Sequence, residues 1–358
     1  MSLCQIYLNR INDCTFVGLE DYNISMEGIF DTIWEKIKKF FTWLKQKLRD
    51  FKNWCMLKLS KMKEAIKLVF SREARLKKIR DDYQKSLDKA SKQARAKLDS
   101  LEKEVCDAWF DKHGSFYAPS TNIVNTYSSN YFNFVASSIK ILHNNCKSVF
   151  SHINVDKISN LLGNANYKDL LNELLSRDGV LAGIDKESLK KYNFKIEEKP
   201  ISPNSDITFI FESISSGDVN IERTEINKNN YSFDMISSIT GILSKYLSEI
   251  SAKIQAATLN AINCVSLADA IEKSEAHLYK SLKEDRDTAI QSGYAGYATI
   301  RLEMLKASFS SITSLQKNIT DYYSKYRYLH ESFLNNCLDL QHYITNTMFS
   351  NMFAKNNL

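Results

Sequence analysis

The chain has 358 residues, of which only ten are glycine and three are proline, and this composition argues against a turn-rich β fold. Seven scattered cysteines without a CxxC spacing indicate reduced thiols and no zinc site. The sequence contains no run of about 18 apolar residues, so it predicts no membrane-spanning helix. The net charge of +6 is uneven: residues 1 to 27 carry −3, residues 28 to 103 carry +12 and the remainder carries −3. We therefore expect a mostly α protein, an elongated bundle of long helices with one basic arm.

Residues 1 to 27 form an acidic N-terminal segment whose charge sign differs from that of the chain that follows. Two interpretations stay open. The segment is either a small helix or strand docked on the body, or a removable propeptide. The second interpretation depends on Glu27 and Gly28, where a glutamate is followed by a small residue immediately before a strongly amphipathic stretch.

Residues 28 to 110 are predicted to form a long basic amphipathic arm, either one helix or a kinked pair. Apolar residues recur there at steps of three and four, which is the spacing of a helical stripe. The apolar face at its start consists of Phe30, Ile33, Trp34, Ile37, Phe40, Trp43, Leu44, Leu48, Phe51 and Trp54. The faces between are rich in cations that favour contact with DNA, another anion or lipid, namely Lys36, Lys38, Lys39, Lys45, Lys47, Arg49, Lys52, Lys58, Lys61 and Lys63.

The start of this arm resembles the internal head proteins of large tailed bacteriophages. Those proteins carry a short propeptide that the prohead protease removes after a glutamate, and the sequence ISMEG at residues 24 to 28 is similar to that site. The following GIFDTIWEKIKKFFTWLKQKL is similar to the Trp- and Lys-rich helix of several such proteins, so the resemblance covers roughly residues 20 to 60. It implies cleavage between Glu27 and Gly28, synthesis in the host cytoplasm, and a final location with DNA inside the capsid.

The rest of the chain is predicted to contain three further units. Residues 111 to 150 comprise a loop to about residue 130 and an aromatic-rich helix from about residue 127. Residues 151 to 230 form a small α+β insertion with short helices, a β-hairpin built from residues 194 to 197 and 207 to 211, and a third strand at 219 to 226. Asp185 is the expected N-cap of one of these short helices. Residues 231 to 358 form an antiparallel hairpin of two long helices, with Ser232 capping the first and a break at residues 292 to 296.

The sequence offers no pattern of catalytic chemistry. Its six histidines form no HExxH, HxH or His/Cys cluster, and it contains no P-loop, GxGxxG or GxSxG motif. We therefore expect no enzymatic activity, no cofactor, no metal and no small-molecule substrate. The tyrosine-rich stretch at residues 322 to 328 interleaves rings with bases, and its apolar spacing favours core packing over nucleic-acid contact.

Three functions remain open at this point. The first is a virion structural protein that is packaged with DNA, binds it non-specifically through the basic arm and is ejected with it. The second is a membrane-active helical protein, pore-forming or membrane-coating, that binds anionic lipid through the amphipathic start of the arm. The third is a scaffold or assembly bundle whose apolar stripe is simply its core seam, with other virion proteins or further copies of itself as partners.

Overall fold

The computed structural model describes residues 26–88, 92–122, 129–151, 183–192, 194–195, 199–200, 208–209, 215–216, 221–284 and 288–356. The predicted fold class, a mostly α elongated bundle of long helices with a small β element, is confirmed. The helices are α1 Met26–Asp88, α2 Lys92–His113, α3 Ser129–Ser151, α4 Lys186–Lys191, α5 Phe233–Ile262, α6 Cys264–Lys283 and α7 Thr288–Asn356. The strands are β1 Phe116–Pro119, β2 Phe194–Lys195, β3 Lys199–Pro200, β4 Thr208–Phe209, β5 Ser215–Ser216 and β6 Arg223–Ile226.

A strict seven-residue repeat defines the buried seam of α1. Seven side chains at this spacing are at most 4% exposed, and they are Phe41, Leu48, Cys55, Met62, Val69, Leu76 and Tyr83. A seven-residue apolar repeat keeps facing one partner only when helices coil around each other with a left-handed twist. The predicted stripe followed Phe40, whereas Phe41 is fully buried and Phe40 only partly, because the repeat runs through Phe41.

Helices α5 and α6 run antiparallel to α1 along nearly its whole length. Met62 Sδ accepts a hydrogen bond from Ser251 Oγ at 3.3 Å, and Lys45 Nζ lies 3.0 Å from Asp269 on α6. As residue numbers fall on α1, they rise on the partner helices. The two helices meet at Asn263, so the single helix predicted from Ser232 to about residue 291 is divided. The predicted N-cap is confirmed, because Ser232 Oγ accepts a hydrogen bond from the Met235 backbone N–H at 3.2 Å.

Helix α7 returns antiparallel to α5 and α6 and lies parallel to α1. The Tyr326 hydroxyl donates to the Leu243 carbonyl at 3.2 Å, while the Tyr323 hydroxyl donates to the Met62 carbonyl at 3.4 Å. The break predicted at residues 292 to 296 is wrong, since this stretch is helical within α7. Gly293 and Gly296 each destabilise a helix by only about 1 kcal/mol relative to alanine. Tyr294, which lies between them, is fully buried and packs into the bundle.

Helix α3 completes a four-helix arrangement with α1, α7 and the α5–α6 pair. Its Tyr131 and Phe132 rings lie 6.0 Å and 5.4 Å from the Tyr322 ring of α7, and its remaining contacts are mainly with α5 and α6. The aromatic composition predicted for this helix therefore supplies the bundle core. Of the short helices in the predicted insertion, α4 is present and is capped by Asp185 as expected, whereas residues 152–182 lie outside the described part.

Helix α2 folds back on the end of α1 and does not extend the arm. Arg80 Nη1 lies 2.9 Å from Glu102 Oε1, and the Tyr83 hydroxyl donates to Glu102 Oε2 at 3.0 Å. In one continuous helix, residues 80 and 102 would be about 33 Å apart. The predicted continuous or kinked arm from 28 to 110 is therefore a helical hairpin.

A two-stranded ladder joins the end of α2 to the start of α5. Strand β1 pairs antiparallel with β6, with Phe116 opposite Ile226, so part of the predicted loop from 111 to 130 is a strand. Gly114 ends α2 in the left-handed region at φ +76°, where glycine carries no Cβ penalty. The β2–β5 and β3–β4 pairs are two further two-stranded antiparallel sheets. The predicted pairing of residues 194 to 197 with 207 to 211 is wrong, because Phe194 lies opposite Ser216 and Phe209 lies opposite Lys199.

Candidate polyanion-binding face

The apolar face predicted for the start of α1 is divided between the bundle core and its margin. Four of its members are buried, namely Ile33, Ile37, Leu44 and Leu48. Four others are partly buried against that core, namely Trp34, Phe40, Trp43 and Phe51. Trp54 is partly buried and stacks on the Phe51 ring, and the side chain of Phe30 lies outside the described residues. Lipid contact through the buried part of this face would require the bundle to open.

Polar contacts fix the first turns of α1 to α6. Asp31 accepts hydrogen bonds from Lys283 Nζ, at 2.7 Å, and from the Tyr279 hydroxyl. The hydrogen bond from Lys283 is the main reason why the pKa of the Asp31 carboxyl lies below its usual value. The Trp34 ring stacks on the Tyr279 ring with centroids 4.5 Å apart. This tryptophan therefore has an intramolecular partner.

Half of the cations predicted to contact an anion have partners within the protein. Lys45 forms ion pairs with Asp269 and Glu272 of α6, and the hydrogen bond to Glu272 raises its pKa. Lys38 pairs with Glu35 at 2.7 Å. Lys58 lies over the Trp54 ring, and both Lys36 and Lys47 are half-buried and have interaction partners. Lys45 is thus a bundle contact, because its position on the helix faces α6.

The other five predicted cations lie on the outer surface of α1. They are exposed and form no ion pair with any residue in the described part of the chain, and they are Lys39, Arg49, Lys52, Lys61 and Lys63. The structure adds four more cations of the same kind further along the helix, namely Lys67, Arg75, Lys77 and Lys78. The selection from sequence ended at Lys63 and missed these four, although the seven-residue repeat would have placed them.

Between residues 39 and 77, two adjacent heptad rows on this surface contain no carboxylate. One row consists of positions 39, 46, 53, 60, 67 and 74, and the other of positions 42, 49, 56, 63, 70 and 77. Five cations occupy these rows, and we refer to them as the outer basic face: Lys39, Arg49, Lys63, Lys67 and Lys77. Lys39 and Lys77 are about 57 Å apart at 1.5 Å per residue, which corresponds to about 17 base pairs of duplex DNA.

The tyrosine-rich stretch of α7 faces inward. Tyr322, Tyr323 and Tyr326 are at most 3% exposed, whereas Tyr328 is 68% exposed. The Tyr246 and Tyr322 hydroxyls are 3.2 Å apart, so buried hydroxyls bond to each other. The buried rings of Tyr322, Tyr323 and Tyr326 are unavailable for stacking on bases in the folded protein, as the apolar spacing predicted.

A surface cleft of about 360 Å³ lies between α2 and α7, where His113 stacks on Trp109 at 4.8 Å. Its α7 side presents Asp339, His342 and Tyr343. Within the described ranges, no three His, Cys, Asp or Glu side chains are close enough together to hold a metal ion. None of the helices in the same ranges is long and apolar enough to cross a membrane.

The fold and this surface define the class of protein: an elongated helical bundle with a basic outer face on its first long helix. Comparison with protein-family models, with curated proteins and with solved structures found no match.

Proposed function

We propose that this protein is a non-enzymatic structural protein of the phage virion, packaged with DNA inside the capsid, and that its outer basic face binds the DNA non-specifically. The observation that carries the proposal is the pair of rows on α1 that, between residues 39 and 77, hold five cations and no carboxylate. The resemblance of residues 20 to 60 to internal head proteins agrees with such a role.

Duplex DNA fits this face because both partners are long, stiff and oppositely charged. The 63 residues of α1 pack against α5, α6 and α7, so the five cations keep fixed positions along the bundle. Four of the five are lysines, which act as point charges and suit phosphate contact better than bidentate reading of bases. The binding energy should therefore come from counterion release, without preference for sequence.

Neutralising the face gives the direct test. We expect the variant K39Q/R49Q/K63Q/K67Q/K77Q to bind a 30-base-pair duplex more weakly and with a flatter dependence on salt. Each phosphate contact contributes about −0.9 to the slope of log K against log salt, so losing five should reduce the magnitude of the slope by about 4.5. The measurement is fluorescence anisotropy of the labelled duplex between 50 and 200 mM salt.

A matched control removes five exposed lysines from other helices, in the variant K112Q/K140Q/K245Q/K273Q/K280Q. Both variants have the same net charge, so a general loss of attraction lowers their affinities equally. The proposal requires the control to keep most of the wild-type slope. Equal slopes for the two variants, or wild-type binding by the first, would contradict it.

Processing after Glu27 belongs to the same proposal. Helix α1 begins at Met26, so the bond between Glu27 and Gly28 lies in its first turn, where amides lack intrahelical partners and opening costs little. Removing residues 1 to 27 would also remove a segment of net charge −3 that precedes the basic helix in the sequence. We expect the mass of the protein from mature particles to correspond to a chain that begins at Gly28. A mass that corresponds to a chain beginning at Met1 or Ser2 would contradict the proposed processing.

A further inference from the structure

Aromatic rings line the surface cleft between α2 and α7. The Trp109 and His113 rings of α2 stack with their centroids 4.8 Å apart, and the Phe116 ring of β1 meets the Trp109 ring edge-to-face at 5.9 Å. Tyr343 lines the α7 side of the cleft and is half-buried. The cleft volume of about 360 Å³ lies within the range of about 300 to 1,000 Å³ that is typical of small-molecule sites. A small organic ligand therefore fits between the two helices.

Asp339 is the one carboxylate among the described residues that line the cleft. It lies on α7, is exposed, and forms no ion pair with any residue in the described part of the chain. The same lining contains no Lys or Arg side chain. Lys112, next to His113 in the sequence, is exposed and lies outside that lining. The cleft thus has a carboxylate and no Lys or Arg to neutralise it.

The end of α2 adds negative potential to the cleft. This helix has 22 residues and ends at His113, and the Gly114 N–H donates to the Phe110 carbonyl at 2.7 Å. The last carbonyls of a helix lack intrahelical partners, and the helix end carries a partial charge of about −0.5 that stabilises cations. Residues 113 to 115 line the cleft, so the cleft lies at this negative end. The helix end and Asp339 therefore both favour a positively charged ligand.

Uncharged hydrogen-bond acceptors accompany Asp339 in the lining. Asn336 Nδ2 donates to the Ser332 carbonyl at 2.9 Å, so the amide oxygen of Asn336 is the group that can accept from a ligand. The Ser115 hydroxyl also lines the cleft, and each histidine ring of the lining offers one acceptor nitrogen in its neutral form. The cleft can therefore accept several hydrogen bonds from one donor-rich group.

We propose that the cleft binds an aliphatic primary ammonium ion. Such a group carries one positive charge and three N–H donors, which match Asp339, the negative end of α2 and the acceptors beside them. Aromatic rings attract a cation through their faces and also contact the methylene chain that carries it. Small diamines and the side chain of a peptide lysine share this chemistry. The proposal concerns binding alone, without a chemical step, and it does not rest on DNA binding by α1.

Other classes of ligand fit the cleft less well. A phosphate or carboxylate would meet Asp339 and the negative end of α2 without a Lys or Arg to bind it. A metal ion lacks ligands there, since no three His, Cys, Asp or Glu side chains of the described residues are close enough together to hold one. A neutral alcohol or sugar would use the rings and the acceptors but gain little from the negative potential. Charge is therefore the property that the test varies.

Two ligands that share a carbon chain and differ in charge test the proposal on the full-length protein. Putrescine carries an ammonium group at each end of its chain at pH 8, whereas 1,4-butanediol carries hydroxyls. We expect saturation-transfer NMR to give a saturable signal for putrescine and the diol to bind about tenfold more weakly. Nα-acetyl-lysine methylamide, titrated in the same way, distinguishes the two sources: binding by putrescine alone indicates a free diamine, and binding by both indicates that a peptide lysine also fits.

Two single substitutions assign the binding to the cleft. Asp339→Asn removes the charge while keeping the size of the side chain, and we expect it to weaken putrescine binding about tenfold. The control Glu249→Gln removes an exposed carboxylate from α5, outside the cleft, and should bind as wild type does. Circular dichroism checks that both variants keep their helix content, and both should keep the wild-type affinity for duplex DNA. Wild-type putrescine binding by D339N, equal weakening by E249Q, equal binding of putrescine and the diol, or no putrescine binding up to about 10 mM would overturn the proposal.

Discussion

Arg301 Nη1 lies 2.5 Å from Glu275 Oε1, and the two side chains are 3% and 2% exposed, so this ion pair joins α7 to α6 inside the bundle. Burial raises the pKa of the Glu275 carboxyl, and the charge of Arg301 opposes that rise. The geometry makes each charge depend on the other, because neither reaches water.

Replacing Arg301 alone should therefore be severe. We expect Arg301→Met to lower the free energy of unfolding by about 3 to 5 kcal/mol, because Glu275 stays buried without its counterion. The double variant R301M/E275L should recover most of that loss. Urea unfolding measures both. Arg327→Met is the control, since its half-exposed pair with Glu331 should contribute less than about 1 kcal/mol. A loss equal to that of the control would contradict the prediction.

His330 should make stability fall in mild acid. Burial lowers its pKa from 6.5 to about 4, and its Nε2 lies 3.4 Å from Ser244 Oγ. The folded state thus favours the neutral imidazole. The stability from this preference is complete above pH 6.5 and is lost as the pH falls towards 4, by up to about 3 kcal/mol.

The variant H330Q isolates this contribution. It should show a flatter decline of unfolding free energy between pH 6.5 and 4 than wild type does, in urea titrations at each pH. His277 is exposed on α6, so H277Q should follow the wild-type profile. Identical profiles for H330Q and wild type would show that His330 contributes nothing to the decline.

Two adjacent phenylalanines test the seven-residue seam of α1. Phe41 is fully buried, whereas Phe40 only packs against the core margin. Phe41→Ala should cost about 3 to 5 kcal/mol of unfolding free energy through lost burial and the cavity that remains. Phe40→Ala should cost about 1 kcal/mol. Thermal or urea unfolding measures the difference, and equal costs would mean that the seam does not run through Phe41.

The buried thiols should be inert in the folded protein. Five free cysteines are buried, namely Cys55, Cys106, Cys146, Cys264 and Cys337. Burial raises the pKa of the Cys55 and Cys106 thiols to about 12, so very little reactive thiolate is present at pH 8. We expect maleimide to label none of the five within minutes in buffer and all of them in guanidinium. Peptide mass spectrometry reads the sites, and rapid native labelling of any one would place it outside a closed core.

The sequence predicted the features of this fold that depend on local periodicity. Long amphipathic helices and the caps at Asp185 and Ser232 follow from spacing and from side-chain hydrogen bonding within one turn. The reversal between α1 and α2 was missed because no proline or glycine marks it, and the contacts of Arg80 and Tyr83 with Glu102 are tertiary. Strand β1 was missed for a similar reason, since its partner β6 lies more than 100 residues away.

The candidate face could be predicted only in part. Composition identified α1 as the basic helix, yet the choice between solvent and bundle for each lysine depends on which helix lies beside it. Lys45 and Lys52 are seven residues apart and occupy the same heptad row, but only Lys45 meets Asp269 and Glu272.

Because α1 and α7 run parallel, the start of α1 and the end of α7 lie at opposite ends of the bundle. Residue 26 begins α1 at the pole near Lys283, and α7 ends at Asn356 after 69 helical residues, at the opposite pole about 100 Å away. Two partners bound at the opposite ends would therefore be held about 100 Å apart.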